Sequence, residues 1–296
     1  MSLLGIVCGV AFFVVTQAQT SGFEAFFIRT ILGTNGAIRV SDRFQDVHDT
    51  VTKVSEDGQA RFVFHSREGT RYVEGIEYPQ ELRKATAEFP GVTGVSEILE
   101  GAGVLDTGSS SHSVRIHGIR ARDHVAVSDL EDQVINGSMK NFWDDRLGIL
   151  VGNRIAERLR LEPGDRIVLA GSHESLNLRV AGVFETGVSQ IDKTRIYLDL
   201  STARSFLRKP HGGSVFQVGL SQPEKAPALA AQMQETFAHR AVSWQEREKV
   251  WLDVFKALRV SSAITVSTII LLSGLGMFNV FAIMVIEKTR DVAILR

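Results

Sequence analysis

The longest uncharged stretch of the chain lies near its C-terminus, between Arg259 and Glu287. Its 27 residues, VSSAITVSTIILLSGLGMFNVFAIMVI, exceed the roughly 20 that a bilayer-spanning helix needs. The preceding segment WQEREKVWLDVFKALRV has one apolar face at helical spacing and no helix breaker before Ile264. We therefore predict a helical stalk that runs without interruption from Trp244 into a transmembrane helix.

A dense group of charges follows this stretch at once. It contains Glu287, Lys288, Arg290 and Asp291, and the apolar trio Ala293-Ile294-Leu295 and a final Arg296 come after it. The basic residues favour a cytoplasmic location for this end of the helix. An anchor does not need the apolar trio, which fits an amphipathic element that lies on the membrane or docks in a partner's groove. We expect the chain to be the first part of a longer membrane protein.

The N-terminal residues 1–23 are also uncharged, and their most apolar part is LLGIVCGVAFFVV. We interpret them as a first membrane helix that continues past the membrane surface to Gly33. A signal peptide is the alternative, although no Lys or Arg precedes the apolar core. Small residues would allow close helix packing in lipid. The candidates are Gly5, Gly9, Ala263, Ser267, Gly274 and Gly276.

The region between the two apolar ends has mixed character. The predicted strands are 37–40, 60–64, 71–76, 92–98, 113–119, 148–151, 165–169, 176–183, 194–198 and 215–220. The predicted helices are 79–88, 152–160, 201–207 and 224–240, and the Gly- and Ser-rich segment 101–113 is predicted to be a loop. These patterns predict an α+β fold in which a β-rich part is inserted into an outer α/β part. With both ends of the chain inside the cell, this region lies outside the membrane.

Composition and motifs exclude several classes of function. The net charge of −1 and the absence of a basic stripe give no case for nucleic-acid binding. The single cysteine, Cys8, permits no intrachain disulfide. There is no G-x-x-x-x-G-K-[ST] loop, so the chain carries no ATPase motif of its own.

No catalytic, cofactor-binding or metal-binding residues are predicted. His112, His117 and His124 have neither flanking cysteines nor an H-E-x-x-H pattern, and we interpret them as solvated loop residues. The run Ser109-Ser110-Ser111-His112 does not make a triad. Asp144-Asp145 fits an exposed turn, and Asp192 and Asp199 fit structural roles beside a strand.

The sequence resembles the permeases of FtsX-like ABC transporters, within which it is most similar to the lipoprotein-releasing (LolC/LolE) type. The resemblance rests on SWQEREKVWLDVFKALRV, the EKTRDVAILR run, the N-terminal SLLGIVCGVAF…SGFE, and two middle stretches at 148–169 and 180–200. It implies a bacterial inner-membrane protein with four membrane helices, of which two are present here, and a periplasmic region of two subdomains. Under this division, residues 1–33 form the first membrane helix and its stalk, and residues 245–286 form the second stalk and span. The α/β subdomain comprises residues 34–110 and 205–244, and the β-rich subdomain inserted into it comprises residues 111–204. Residues 287–296 are the start of a coupling helix.

The same resemblance implies how such a chain works. The coupling helix docks on a separate ATPase subunit, which uses ATP and magnesium. The residues implied for this role are Glu287, Lys288, Arg290, Asp291, Ile294 and Leu295. Two stalks, Gly22–Leu32 and Gln245–Leu258, would carry movement to the external domain. A second permease copy, an exported lipoprotein and possible periplasmic acceptors are implied as partners. Macrolide-like export, a two-span tethered protein without transport and a secreted domain with one C-terminal anchor remain alternatives.

Overall fold

The computed structural model describes residues 2–43, 50–56, 59–65, 76, 78–171, 174–209, 214–237 and 239–294. The chain divides into two compact units. One comprises residues 1–29 and 248–296, and the other, here called the domain, comprises residues 30–247. The predicted strand at 71–76 lies outside the described residues, apart from Ile76.

The described helices and strands are interspersed along the chain. The helices are α1 (Ser2–Asn35), α2 (Pro79–Ala87), α3 (Ala121–Val125), α4 (Leu130–Gln133), α5 (Met139–Asp144), α6 (Asn153–Leu159), α7 (Ser189–Asp192), α8 (Leu200–Phe206), α9 (Ala226–Phe237), α10 (Trp244–Arg247) and α11 (Lys249–Ile294). The strands are β1 (Ile38–Arg43), β2 (Thr50–Glu56), β3 (Gln59–His65), β4 (Val92–Asp106), β5 (Ser111–Ile119), β6 (Val134–Gly137), β7 (Gly148–Gly152), β8 (Arg166–Ala170), β9 (Ser175–Phe184), β10 (Arg195–Asp199), β11 (Ser214–Leu220) and β12 (His239–Ser243).

Ten of these strands form one mixed sheet. Nine follow the order β12-β1-β11-β4-β5-β10-β7-β9-β6, and β8 pairs with β4 and β9 beside this path. The pairs β5–β10 and β7–β9 are parallel, while the other pairs are antiparallel. Strands from both predicted subdomains therefore share one sheet, and they are joined where β4 pairs with β5 and with β8. The mixed α/β character is confirmed, and the division into two subdomains stays a prediction.

Each face of the sheet carries its own hydrophobic core. One core includes Leu99, Ile116 and Leu198 from the strands, with α6 and α8 packed over them. The other includes Ile98 and Ile119 of β4 and β5 together with residues from α4 and α5. Alternation of side chains along β4 and β5 sends neighbouring residues to opposite cores, because successive residues of a strand point to opposite faces.

Three predictions for this region are wrong. The loop predicted at 101–113 is mostly strand, because β4 continues to Asp106 and β5 begins at Ser111. Its glycines fit close packing in a sheet, since a Cβ at Gly101 would meet Leu207 at 2.5 Å. The helix predicted at 224–240 ends at Phe237, and β12 follows it. The helix predicted without interruption from Trp244 is broken at Glu248, between α10 and α11.

Candidate stalk and coupling elements

The two predicted stalks pack against each other through aromatic rings. Phe255 of α11 lies 5.8 Å from Phe23 and 5.6 Å from Phe27 of α1, measured between ring centroids. Phe27 also lies 5.6 Å from Trp251. Phe255 is 2% exposed, so its ring is almost fully enclosed. Edge-on aromatic pairs of this kind contribute about 0.5–1.5 kcal/mol each beyond area burial.

An ion pair between Glu24 and Arg259 joins the same two helices. Glu24 is the first charged residue after the N-terminal uncharged run, and Arg259 is the last before the C-terminal one. The Glu24 side chain is 22% exposed and that of Arg259 is 49% exposed, so water screens the pair in part. We call the four aromatic residues and this ion pair the stalk clasp.

Inside the domain, the last turn of α1 is fixed by hydrogen bonds from the loops and strands around it. The Gln217 side chain donates to the Thr34 carbonyl at 3.1 Å, and the Arg195 guanidinium donates to the Asn35 side chain at 3.0 Å. The backbone N–H of Asp129 donates to the Gly33 carbonyl at 2.6 Å. Three different elements therefore hold the end of this helix.

The chain enters and leaves the domain at adjacent points. Gly36 has a φ of 63°, a left-handed conformation that glycine adopts without steric cost, and it turns the chain from α1 into β1. β1 pairs with β12, the strand just before α10. The backbone N–H of Trp244 donates to the Ala37 carbonyl at 2.8 Å, and the Arg247 guanidinium to the Gly36 carbonyl at 3.3 Å. Both connections are thus tied to the same edge of the sheet.

α11 extends through the predicted coupling segment as one helix. Glu287, Lys288, Arg290, Asp291 and Ile294 lie on it, and the Lys288 side chain is exposed. Leu295 lies outside the described residues. Within the part of the chain that the structure describes, Lys249–Ile286 is the one helical segment long and apolar enough to cross a membrane, judged by length and composition. The first predicted span is helical from Ser2 onward, and its membrane crossing stays a prediction.

The small residues proposed for packing in lipid are distributed over both helices. Gly5 and Gly9 lie in α1. Ala263 and Ser267 are exposed on α11. A Cβ added at Gly274 or Gly276 would meet nothing within 4 Å. The packing role of all six residues stays a prediction.

The histidines interpreted as solvated are mostly buried, so that interpretation is wrong. His117 is 7% exposed in β5 and His124 is 1% exposed in α3, where both rings contact Tyr197. Nδ1 of His124 lies 3.1 Å from the Ser96 hydroxyl. Burial, followed by the charge of Arg195, lowers the pKa of His124 to about 3. His117 lies within the predicted strand 113–119. Its place among the buried residues of that strand is the signal that could have indicated its burial.

The carboxylates flagged in the sequence have structural roles. Asp192 is 3% exposed and accepts hydrogen bonds from the backbone N–H and the hydroxyl of Thr186, at 2.9 and 2.8 Å. Asp199 caps α8 by accepting from the Ser201 N–H at 2.9 Å. Among the described residues, no group of three or more His, Cys, Asp or Glu side chains could hold a metal ion.

The fold and these elements belong to a recognisable class. Residues 1–236 match the model of the MacB-like periplasmic core domain, and the chain belongs to that family. The resemblance to this family seen in the sequence is confirmed, and the relatives that the chain matches include proteins of the LolC/LolE type. It is 22% identical over 230 residues to "Lipoprotein-releasing system transmembrane protein LolC" of Neisseria meningitidis, covering 73% of this chain and 55% of that protein. It is 20% identical over 308 residues to "Lipoprotein-releasing system transmembrane protein LolE" of Haemophilus influenzae, covering 100% of this chain and 68% of that protein.

The chain spans 55% to 68% of the length of these two relatives. Solved structures with similarity include the periplasmic region of MacB from Actinobacillus actinomycetemcomitans, at a TM-score of 0.44 and 12% identity, covering 74% of this chain and 94% of that one. The extracellular domain of the ABC-type transporter YknZ from Gram-positive bacteria gives a TM-score of 0.42 at 14% identity, covering 56% of this chain and 92% of that one.

Proposed function

We propose that this chain is part of an ABC-transporter permease that transmits the movement of a separate ATPase subunit to an external domain. The domain would lie in the periplasm and α1 and α11 in the inner membrane of a bacterium. The chain itself would carry out no ATP hydrolysis. Membership of the MacB-like family and the names of the LolC and LolE relatives support this proposal.

The observation that carries the proposal is the stalk clasp. Two helices that transmit movement must not slide along each other. The packed aromatic rings and the ion pair between α1 and α11 oppose such sliding. Where the chain enters and leaves the domain, its two segments are hydrogen-bonded to each other. β1 pairs with β12, and the Arg247 guanidinium donates to the Gly36 carbonyl. Movement delivered by either helix would therefore reach the same edge of the sheet.

We further propose that the transported substrate is a lipoprotein released from the inner membrane. Two relatives from different bacteria are named for lipoprotein release, which favours this substrate class over macrolide-like or peptide export. A non-transporting protein that tethers an external binding domain is the second candidate, favoured by the large share of the chain given to the domain. The two candidates differ in whether an ATPase drives movement through the stalks.

The test replaces one residue of the clasp. Phe255→Ala removes the enclosed ring that contacts both Phe23 and Phe27, and loss of a buried Phe costs about 3–5 kcal/mol locally. We expect lipoprotein release by the complete transporter to fall several-fold while ATP hydrolysis continues. Val250→Ala is the matched control, because Val250 is 75% exposed on the same helix.

Phe255→Leu, which keeps an apolar side chain, should recover part of the release. Normal release by Phe255→Ala would refute the role of the clasp. A complete transporter that contains no ATPase subunit would refute the transport proposal and leave the tethered protein.

A further inference from the structure

One face of the sheet gathers arginine side chains from three strands. Residues directly opposite each other on paired strands point to the same side of a sheet. The pairing Arg115↔Arg195 between β5 and β10 and the pairing His117↔Tyr197 beside it place these four side chains on one face. Glu100 of β4 lies opposite His117 on the same face. Arg39 of β1 reaches it too, because its guanidinium donates to the Glu100 carboxylate at 2.6 Å.

This face is closed at one end and open at the other. Towards the closed end, Ile98, Ile119 and Tyr197 are at most 4% exposed beneath the core that includes α4 and α5. Towards the open end, Ala102 and Arg115 are exposed. Arg39, Glu100 and Arg195 are half-buried between the two. These side chains therefore lie together on one face of the sheet. We call this group the basic face (Arg39, Arg115, His117 and Arg195).

The positive charge on the basic face exceeds what its described partners neutralise. Glu100 pairs with Arg39, whereas Arg195 donates only to the neutral Tyr197 hydroxyl at 3.2 Å and the Asn35 amide oxygen. Among the described residues, the Arg115 guanidinium has no hydrogen-bond or ion-pair partner. Two guanidinium charges are thus left without a carboxylate within this set.

His117 gives a second and independent sign of a missing partner. Its side chain is more than nine-tenths buried, and Nδ1 has no hydrogen-bond partner among the described residues. A buried polar atom of this kind costs free energy unless something satisfies it. Burial lowers the pKa of His117, and the charges of Arg195, His124, Arg39 and Arg115 lower it further.

We propose that the basic face binds a phosphate group. Guanidiniums bind phosphate through paired, charge-assisted hydrogen bonds, and two uncompensated positive charges match a phosphate dianion better than a single carboxylate. The phosphate could be free in solution or part of a lipid headgroup, and the chemistry of recognition is the same. This site is independent of the stalk clasp and of the proposed transport function.

The experiment titrates inorganic phosphate into the full chain in uncharged detergent micelles, followed by calorimetry. We expect saturable binding that Arg115→Gln weakens about tenfold, as expected for the loss of a charge-assisted hydrogen bond. Arg115 is exposed and makes no described side-chain contact with a partner, so the variant should fold. Arg166→Gln is the matched control, because it removes another exposed arginine, and its strand β8 pairs with β4 and β9 but with none of the strands that carry the basic face. This variant should bind like the unaltered chain.

Measurements in lipid nanodiscs distinguish a phosphate that is free in solution from a lipid headgroup. If phosphatidylglycerol nanodiscs reduce the binding of inorganic phosphate and phosphatidylcholine nanodiscs do not, a headgroup occupies the site. Undiminished binding in both assigns a soluble phosphate. Absence of saturable phosphate binding, equal weakening by Arg115→Gln and Arg166→Gln, or equally strong displacement by acetate would each overturn the proposal.

Discussion

His117 and His124 stabilise the domain only as neutral side chains. Burial lowers the pKa of both below the ordinary value of 6.5, and for His124 to about 3. The unfolded chain therefore binds protons that the folded chain does not, so stability is full above pH 6.5 and falls as the pH drops from there towards 3. Between pH 7.5 and 5, His124 should remove about 2 kcal/mol from the free energy of unfolding, and His117 should add to this loss.

The measurement is urea unfolding of the full chain in detergent over that pH range. His124→Gln keeps a side chain that can bond to Ser96 and cannot titrate, so it should reduce the pH-dependent loss of stability by about 2 kcal/mol. His112→Gln is the control, because His112 is partly exposed and its ring, among the described residues, bonds to the Lys193 carbonyl alone. An equally steep dependence in His124→Gln would contradict the burial argument.

At the scale of residues, the sequence predicts the functional class of the protein better than it predicts the surroundings of a single side chain. The absence of a phosphate-binding loop is visible in the sequence itself. The burial of His117 was missed, although it lies within the predicted strand 113–119. The basic face could not be predicted, because Arg39, Arg115 and Arg195 are far apart in the chain and only the order of β1, β4, β5 and β10 brings them together.

At the scale of elements, the packing of α8 on β5 depends on one glycine. A Cβ at Gly118 would lie 2.3 Å from the Cβ of Ala203, closer than atoms can approach. Gly118→Ala should destabilise the domain by about 1–3 kcal/mol, the usual cost of overpacking. Chemical unfolding of the full chain measures this directly.

A second substitution isolates the cause of that loss. Ala203→Gly removes the opposing methyl group, so the double variant should be more stable than Gly118→Ala alone. Full recovery is not expected, since glycine inside a helix costs about 1 kcal/mol. If the double variant loses the sum of the two single effects, the contact is not the cause.

Strong periodic segments were predicted with good boundaries, and short ones were not. The predicted strand 60–64 and helices 79–88 and 201–207 correspond to β3, α2 and α8 within two residues at each end. β6 was missed because its four residues, VING, show no alternation, and β12 was missed because no glycine or proline separates it from the helical pattern of α9. The break at Glu248 was missed because no glycine or proline marks it.

At the scale of the whole molecule, α11 links three tasks along one helix. Its first turns form half of the stalk clasp, its middle is the uncharged run 260–286, and its end carries the predicted coupling residues. The length of the uncharged run alone predicts that the middle of α11 is a transmembrane segment. The clasp needed the structure, because apolar spacing in 250–258 does not reveal which of its residues face α1. Val250 and Phe255 share that spacing, yet one is 75% exposed and the other 2%.

The coupling role of the end of α11 gives the last prediction. If the segment after Glu287 docks on an ATPase subunit through apolar contacts, a charge at Ile294 should disrupt docking, because an unpaired charge in an apolar interface is strongly unfavourable. We expect Ile294→Asp to lose most of the ATPase that copurifies with the complete transporter, and Ile294→Val to retain it. The amount of each variant in the membrane fraction shows whether insertion is intact. Copurification unaffected by Ile294→Asp would mean that the charges at 287–291 only anchor the helix, and that the ATPase contacts another part of the permease.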